Sequence, residues 1–182
     1  MGHCIHKLRT AILAAAALAV IQALPEGRAE PPPDARVTAF FDSACEQAVL
    51  HALKDARREI LMAAFVLTRE DIVDALLAAA QNDIAVQLRY DAAQSDFEGM
   101  EKALRRLRRG GVRCAAVRMA GENAAMHHKF VVVDGAVVLT GSYNFTTAAS
   151  TLNHENLVRI ESPAIAQQFR AVFFALVAKD KQ

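Results

Sequence analysis

At 182 residues with 53% hydrophobic side chains, the chain has enough apolar surface for one folded domain with a real core, which excludes a disordered tail or low-complexity linker. A formal net charge of +1 excludes attraction to a polyanion through bulk charge, so any such attraction must come from a local patch. Three cysteines without a C-x-x-C pair argue against a structural zinc site.

In chain order, His3, His6, Lys7 and Arg9 precede an uninterrupted apolar run from Ala11 to Ile21. Residues 1–29 therefore read as a bacterial-type secretory signal, with Gly27 and Ala29 as the small residues before the cut. Periplasmic or secreted localisation follows, with no stable membrane association once the signal is removed. The rival is an uncleaved anchor. A span needs about 20 apolar residues, and Pro25-Glu26-Gly27-Arg28 stops this run early; sequencing the mature N-terminus discriminates the two. Cleavage removes Lys7, Arg9, Arg28 and Glu26, leaving 18 basic and 19 acidic side chains. Cys4 leaves as well. Cys45 and Cys114 then either pair in an oxidising compartment or serve as small core residues.

Residues 30–36 form a Pro-rich spacer and 37–182 the domain. Val37–Phe41 reads as a strand, followed by a helix capped by Asp42 or Ser43 and running to about Arg58. Ile60–Leu67 is a continuous apolar run of buried-strand type, and Thr68 caps a helix carrying Ile72, Val73, Leu76 and Leu77. A strand from Ile84 to Tyr90, a helix from about Ser95 to Arg109 closed by Gly110-Gly111, and a strand Val112–Arg118 come next. Asp134-Gly135 then marks a two-residue hairpin between Phe130–Val133 and Ala136–Thr140. A short helical or irregular piece after Asn144 leads to a last strand, Glu155–Ile160. Pro163 opens a C-terminal helix with Ile165, Phe169, Val172, Phe173 and Leu176 on one face. The alternation predicts a single α/β domain, a mixed sheet flanked by helices on both faces with a largely parallel first half.

Met126–Glu155 carries far more directed polarity than a core needs. Residues two apart on a strand share a face, so His127 and Lys129 project together while His128 points away. Ser142 and Asn144 follow Gly141, whose missing side chain permits a turn and close approach of a ligand. Cleavage of a phosphodiester needs an attacking group, donors for the equatorial oxygens and an acid for the leaving alkoxide. His127 supplies attack or protonation, Lys129 a point charge, and Ser142 and Asn144 further donors. Glu155 is placed to accept a hydrogen bond from the far nitrogen of His127. One imidazole cannot attack from one side and protonate on the other. His51 and His154 lack the accompanying Lys, Gly-Ser and Asn, and read as surface or structural. A two-fold homodimer that brings two copies of His127 into one cleft supplies the second histidine. Arg105, Arg106 and Arg109 share a helix face and read either as a solvated surface or as a nucleic-acid-binding patch.

The series His127-x-Lys129-x4-Asp134, Gly141-Ser-x-Asn144 and Asn153-x-Glu155-Asn156 resembles the H-x-K-x4-D signature of the phospholipase D superfamily, and among its members the small exported bacterial endonucleases. The resemblance implies the superfamily's α-β sandwich and metal-independent phosphodiester cleavage through a phosphohistidine. It implies no cofactor and no metal. It also implies a homodimer acting on nucleic acid, DNA or RNA. By motif position His127, Lys129, Glu155 and Asp134 form the catalytic set, and Lys129, Ser142 and Asn144 bind phosphate. The hairpin position of Asp134 points to a structural duty. Gln81-Asn82-Asp83-Ile84 departs from the Gly-Val turn common in relatives. A lipid phosphodiesterase is the enzymatic rival, and an inactive nucleic-acid-binding or membrane-attached module the non-enzymatic one.

Overall fold

A computed structural model describes residues 34–121 and 123–176; the expected signal segment and most of the spacer lie outside these residues. Seven strands make one mixed sheet: β1 Arg36–Phe41, β2 Glu59–Ala64, β3 Ala85–Asp91, β4 Arg113–Val117, β5 Lys129–Val133, β6 Val137–Gly141 and β7 Asn156–Glu161. Their order across the sheet is β1-β7-β6-β5-β2-β3-β4. β2, β3 and β4 run parallel, and the remaining pairings are antiparallel. The helices are α1 Ser43–Asp55, α2 Glu70–Gln81, α3 Glu98–Arg109, the short α4 Thr147–Thr151, and α5 Pro163–Ala175. The predicted α/β architecture is therefore present, with helices on both faces.

Strand alternation sorts the core into two layers. Ile60, Met62, Val131 and Leu139 pack with α1, α2 and α3 in the larger cluster, while Leu61, Ala63, Phe130 and Val132 meet Ala166 and Phe173 of α5 in the smaller. Central β2 and β5 are buried on both faces, which is why they read as unbroken apolar runs. Phe169, Val172 and Leu176 pack against the smaller cluster, as their spacing predicts.

Three local expectations change. The backbone N–H groups of Thr68 and Arg69 both donate to the carbonyl of Phe145, at 2.9 Å each, so α2 starts at Glu70 rather than under a Thr68 cap. Asp42 occupies the position before α1 with φ 53°, yet its side chain caps nothing in that helix and reaches across to β7 instead. The hairpin connection spans residues 134–136 rather than two, because Val133 pairs with Val137. The carbonyl of Ala136 there accepts from Ser162 N at 2.9 Å, tying the turn to the start of α5. Asp83, in the segment Gln81-Asn82-Asp83-Ile84, has φ 60°, so an aspartate fills a left-handed position that suits glycine.

Candidate active site

The C-terminal ends of β2, β3 and β6 and the N-terminal ends of β5 and β7 meet at one end of the sheet, and most of the predicted polar residues gather there. The register sets Ala64 opposite Lys129 and Phe130 opposite Thr140, so His127 and Lys129 head β5 between the exit of β2 and Gly141 of β6. Gly141 is obligatory at this point, since a Cβ would collide with the carbonyl of Asn156 on β7.

Lys129 is 8% exposed, and its Nζ donates to the carbonyl oxygen of His127 at 3.0 Å while lying 3.2 Å from each ring nitrogen of the same residue. It also stands 5.2 Å from the centre of the Phe65 ring. Burial pushes its pKa down from the ordinary 10.5, and the charge of Glu155 partly restores it. This ammonium has no carboxylate within ion-pair distance among the described residues, so an anion arriving beside His127 would be its first full counter-charge. His128 turns to the other side, 5.6 Å from Phe130. Burial, Lys129 and His127 in that order lower its pKa. The predicted divergence of the two histidines therefore holds.

Glu155 differs from its predicted contact. Its Oε2 accepts from Ser142 Oγ at 2.5 Å and its Oε1 from Asn153 Nδ2 at 3.1 Å, so both oxygens are engaged away from His127. The cause is backbone anchoring. Asp42 N donates to Glu155 O at 2.9 Å, and Glu155 N donates to Asp42 Oδ1 at 3.2 Å, which pins the head of β7 to the start of α1. Within one chain Glu155 thus acts on Ser142 by hydrogen bonding and on Lys129 by charge. Ser142 Oγ in turn accepts from Asn156 N at 3.0 Å and Asn156 Nδ2 at 3.3 Å.

Between Ser142 and Asn144, Tyr143 is fully buried, and its hydroxyl shares a 2.7 Å hydrogen bond with Ser150. Burial pushes its pKa up to about 12, so it is a neutral anchor that holds the turn. Asn144 Oδ1 is buried with no hydrogen-bond partner. An amide left unpaired at the site has capacity in reserve for a ligand group, whichever way it is flipped.

Asp134, placed by sequence in the catalytic set, lies at the opposite end of β5, about 17 Å from the chemistry at strand rise. Its carboxylate accepts from the backbone N–H groups of Arg57 at 2.9 Å, Arg58 at 2.8 Å and Glu59 at 3.0 Å, closing the turn that feeds β2. It is a structural clamp. Asp134→Ala is expected to lower unfolding free energy by about 2–3 kcal/mol, the loss of charge-assisted hydrogen bonds, while the folded fraction keeps wild-type kcat. Denaturant melts paired with activity per folded molecule check this.

Arg105, Arg106 and Arg109 are likewise not brought to the site. α3 starts near Thr68 at the active end and runs away from it, so these residues stand between about 10 and 17 Å down the helix axis from its first residue. Arg105 pairs with Glu101 and Arg106 with Asp74. Such exposed pairs are worth only about 0–1 kcal/mol and would yield to a phosphate; it is position that separates these arginines from the reacting atoms. Exposed His51 pairs with Asp55, and His154, 99% exposed, with Asp42, so both are surface residues. Cys45, buried in α1, and Cys114, on edge strand β4, are free thiols. Burial raises both, Cys114 to about 11.

Phe65 and Asp91 carry duties that sequence reasoning does not assign, and Asn153, part of the signature, holds Glu155 Oε1. Asp91, 2% exposed, accepts from Met126 N at 2.7 Å and so anchors the residue before His127. Its signal was a carboxylate ending a buried strand. Among the described residues no group of three or more His, Cys, Asp or Glu side chains stands close enough to hold a metal ion, and no helix is long and apolar enough to cross a membrane.

With this geometry in place, comparison with known proteins defines the class. Residues 49–177 match the family described as "Cardiolipin synthase, PLD-like domain". The chain belongs to the phospholipase D superfamily. More particularly, it is 32% identical over 124 residues to the mitochondrial cardiolipin hydrolase of Chlamydomonas reinhardtii, covering 68% of this chain and 53% of that one. It is 28% identical over 127 residues to a phospholipase D of Rickettsia bellii, covering 70% and 61%. The chain thus spans little more than half the length of these curated relatives. Nuc, a phospholipase D family member from Salmonella typhimurium, superposes with a TM-score of 0.73 at 28% identity, covering 79% of this chain and 94% of Nuc.

Proposed function

We propose that the chain is a metal-independent endonuclease that cleaves DNA, and RNA by the same chemistry, in a homodimeric site. The observation that carries this reading is the buried Lys129 ammonium set against both ring nitrogens of His127 with no carboxylate paired to it. A diester phosphate entering there meets a nucleophile and a cation together, with Ser142 and Asn144 one strand away.

In the first step a ring nitrogen of His127 bonds to phosphorus and the P–O bond to the leaving alkoxide breaks. The partner's His127 delivers a proton to that oxygen. In the second, water attacks the phosphohistidine, the P–N bond breaks, and the partner's His127 takes the water's proton. Lys129 neutralises the equatorial oxygens in both steps. The metal-independent form rests on the donor set: among the described residues the carboxylates near His127 are already engaged, Glu155 with Ser142 and Asn153, Asp91 with the backbone N–H groups of Met126 and Ala93, and Asp42 with the backbone N–H of Glu155.

Nucleic acid is favoured as substrate by the near end-to-end match with Nuc, against the partial coverage of the curated hydrolases. One observation favours a lipid diester instead. Phe41, Phe97, Met119 and Leu152 are large exposed apolar residues, 63%, 60%, 45% and 81% accessible; Phe41 ends β1, Phe97 and Met119 come after β3 and β4, and Leu152 precedes β7, all at the active end. Purified protein offered plasmid DNA, single-stranded DNA, RNA and cardiolipin vesicles in excess EDTA separates these outcomes. Nucleic-acid cleavage at full rate is expected. Loss of all cleavage on chelation, restored by a divalent ion, would overturn the metal-free mechanism, and turnover of vesicles alone would replace nucleic acid by lipid.

A further inference from the structure

We propose that Phe65 is a positioning residue for this site, its ring bracing the His127 imidazole on one side and the Lys129 ammonium over its face. The inference rests on the phosphodiesterase reading and deepens it. The Phe65 ring centre lies 4.6 Å from that of His127 with a tilt of 59°, and 5.2 Å from Lys129 Nζ, within the range of a cation–π contact. No other side chain described here touches both members of the pair through an aromatic face.

The backbone around Phe65 is fixed on both sides. Its N–H donates to the carbonyl of His128 at 2.9 Å, extending the β2–β5 pairing one step past Ala64–Lys129 and locking Phe65 to the residue between His127 and Lys129. Two residues on, Leu67 is fully buried, bridges to Phe145 and donates from its N–H to Met100 Sδ at 3.3 Å. The ring is therefore carried on a stiff exit from a central strand.

His127 needs such support because its side chain is exposed, and among the described residues Lys129 Nζ is the only polar atom recorded within hydrogen-bond reach of its nitrogens. A nucleophile free to swing spends much of its time out of line with phosphorus, and small misplacements are costly in rate. Phe65 is also uncharged. The charged and titratable groups facing Lys129 are His127 and His128 from the approach to β5 and Glu155 from the head of β7, and none is altered when Phe65 is replaced.

The test uses the full chain with bis(p-nitrophenyl) phosphate as substrate across pH, thermal melting, and carbon–proton NMR of the histidine rings, with His127 assigned by its absence in His127→Ala. Phe65→Leu keeps bulk without a π face, Phe65→Ala removes both, and Phe65→Tyr restores the ring. Expected are falls in kcat of about tenfold for leucine and about 100-fold for alanine, with KM much less affected and tyrosine near wild type. The alkaline limb of the leucine variant moves to lower pH, because the ammonium loses the ring while its burial persists. The His127 resonances shift as the ring current disappears, at unchanged melting temperature. A leucine variant with wild-type kcat, pH profile and His127 resonances overturns the proposal, as does a loss fully matched by a fall in folded fraction. If the wild-type chain turns over no diester at all, the phosphodiesterase reading is what fails, and the NMR comparison still decides whether Phe65 holds the imidazole.

Discussion

Replacing His127 with alanine is expected to lower turnover by at least about 10^4-fold, the scale on which a covalent nucleophile is lost, while the melting temperature stays near wild type. The side chain is exposed and carries no core packing, so its removal leaves the fold intact. The nearest rival nucleophile is Ser142, which donates to Glu155 at 2.5 Å. Its oxygen already accepts two hydrogen bonds from Asn156, which occupy the lone pairs that attack would require. Activity in His127→Ala that vanishes on further replacement of Ser142 would reassign the nucleophile. The same variant tests the shared site. Wild-type chain equilibrated with an excess of His127→Ala should lose more activity than dilution accounts for, because mixed dimers lack either the nucleophile or the acid. Strict proportionality would point to a site complete within one chain.

Glu155→Gln is expected to cost about 10²- to 10³-fold in kcat/KM and to move the alkaline limb of its pH profile to lower pH. The direction follows from Lys129. Burial already holds its ammonium below the ordinary 10.5, and the Glu155 charge is the influence that raises it. Without that charge the proton leaves sooner, and the protonated form that neutralises phosphate is lost at lower pH. Stability responds with the opposite sign. Between the lowered folded value and 10.5 the unfolded chain binds more protons than the folded one, so folding becomes more favourable as pH rises while activity falls. An alkaline limb unmoved in Glu155→Gln would separate Glu155 electrostatically from Lys129 and leave it only its duty to Ser142.

The elements of the fold were legible wherever one physical signal dominated. The apolar run Ile60–Leu67 holds a strand buried on both faces, though that strand ends at Ala64 and the chain then leaves the sheet, and the spacing of Ile165, Phe169, Val172 and Phe173 is the inner face of α5, continued by Leu176 at its end. The site was legible where residues two apart on a strand must share a face, which is why His127 and Lys129 were found together. Relations across the fold were not. Periodicity assigned Arg105, Arg106 and Arg109 to one helix face but says nothing about which end of the sheet that stretch reaches; the return direction of α3 between parallel β3 and β4 decides it. The partner of Glu155 was equally out of reach, since it depends on Asp42, more than a hundred residues earlier, fixing the head of β7. Phe65 gave no signal of its own, because an aromatic residue at the end of an apolar run is indistinguishable from core until its ring is seen against the imidazole.

The span from Lys129 to Asp134 works as a ruler. One end of a five-residue strand bears the buried Lys129 ammonium, and just past the other a carboxylate reaches the backbone of residues 57–59. Adding one residue to that strand would turn Lys129 to the opposite side of the sheet if the clamp stayed engaged; adding two would keep its side but overshoot the clamp by nearly 7 Å. The four unspecified positions of the signature are therefore unspecified only in chemistry. Their number is a length: any apolar residue that fits can fill this strand, but an inserted one uncouples the anchor at Asp134 from the position of Lys129.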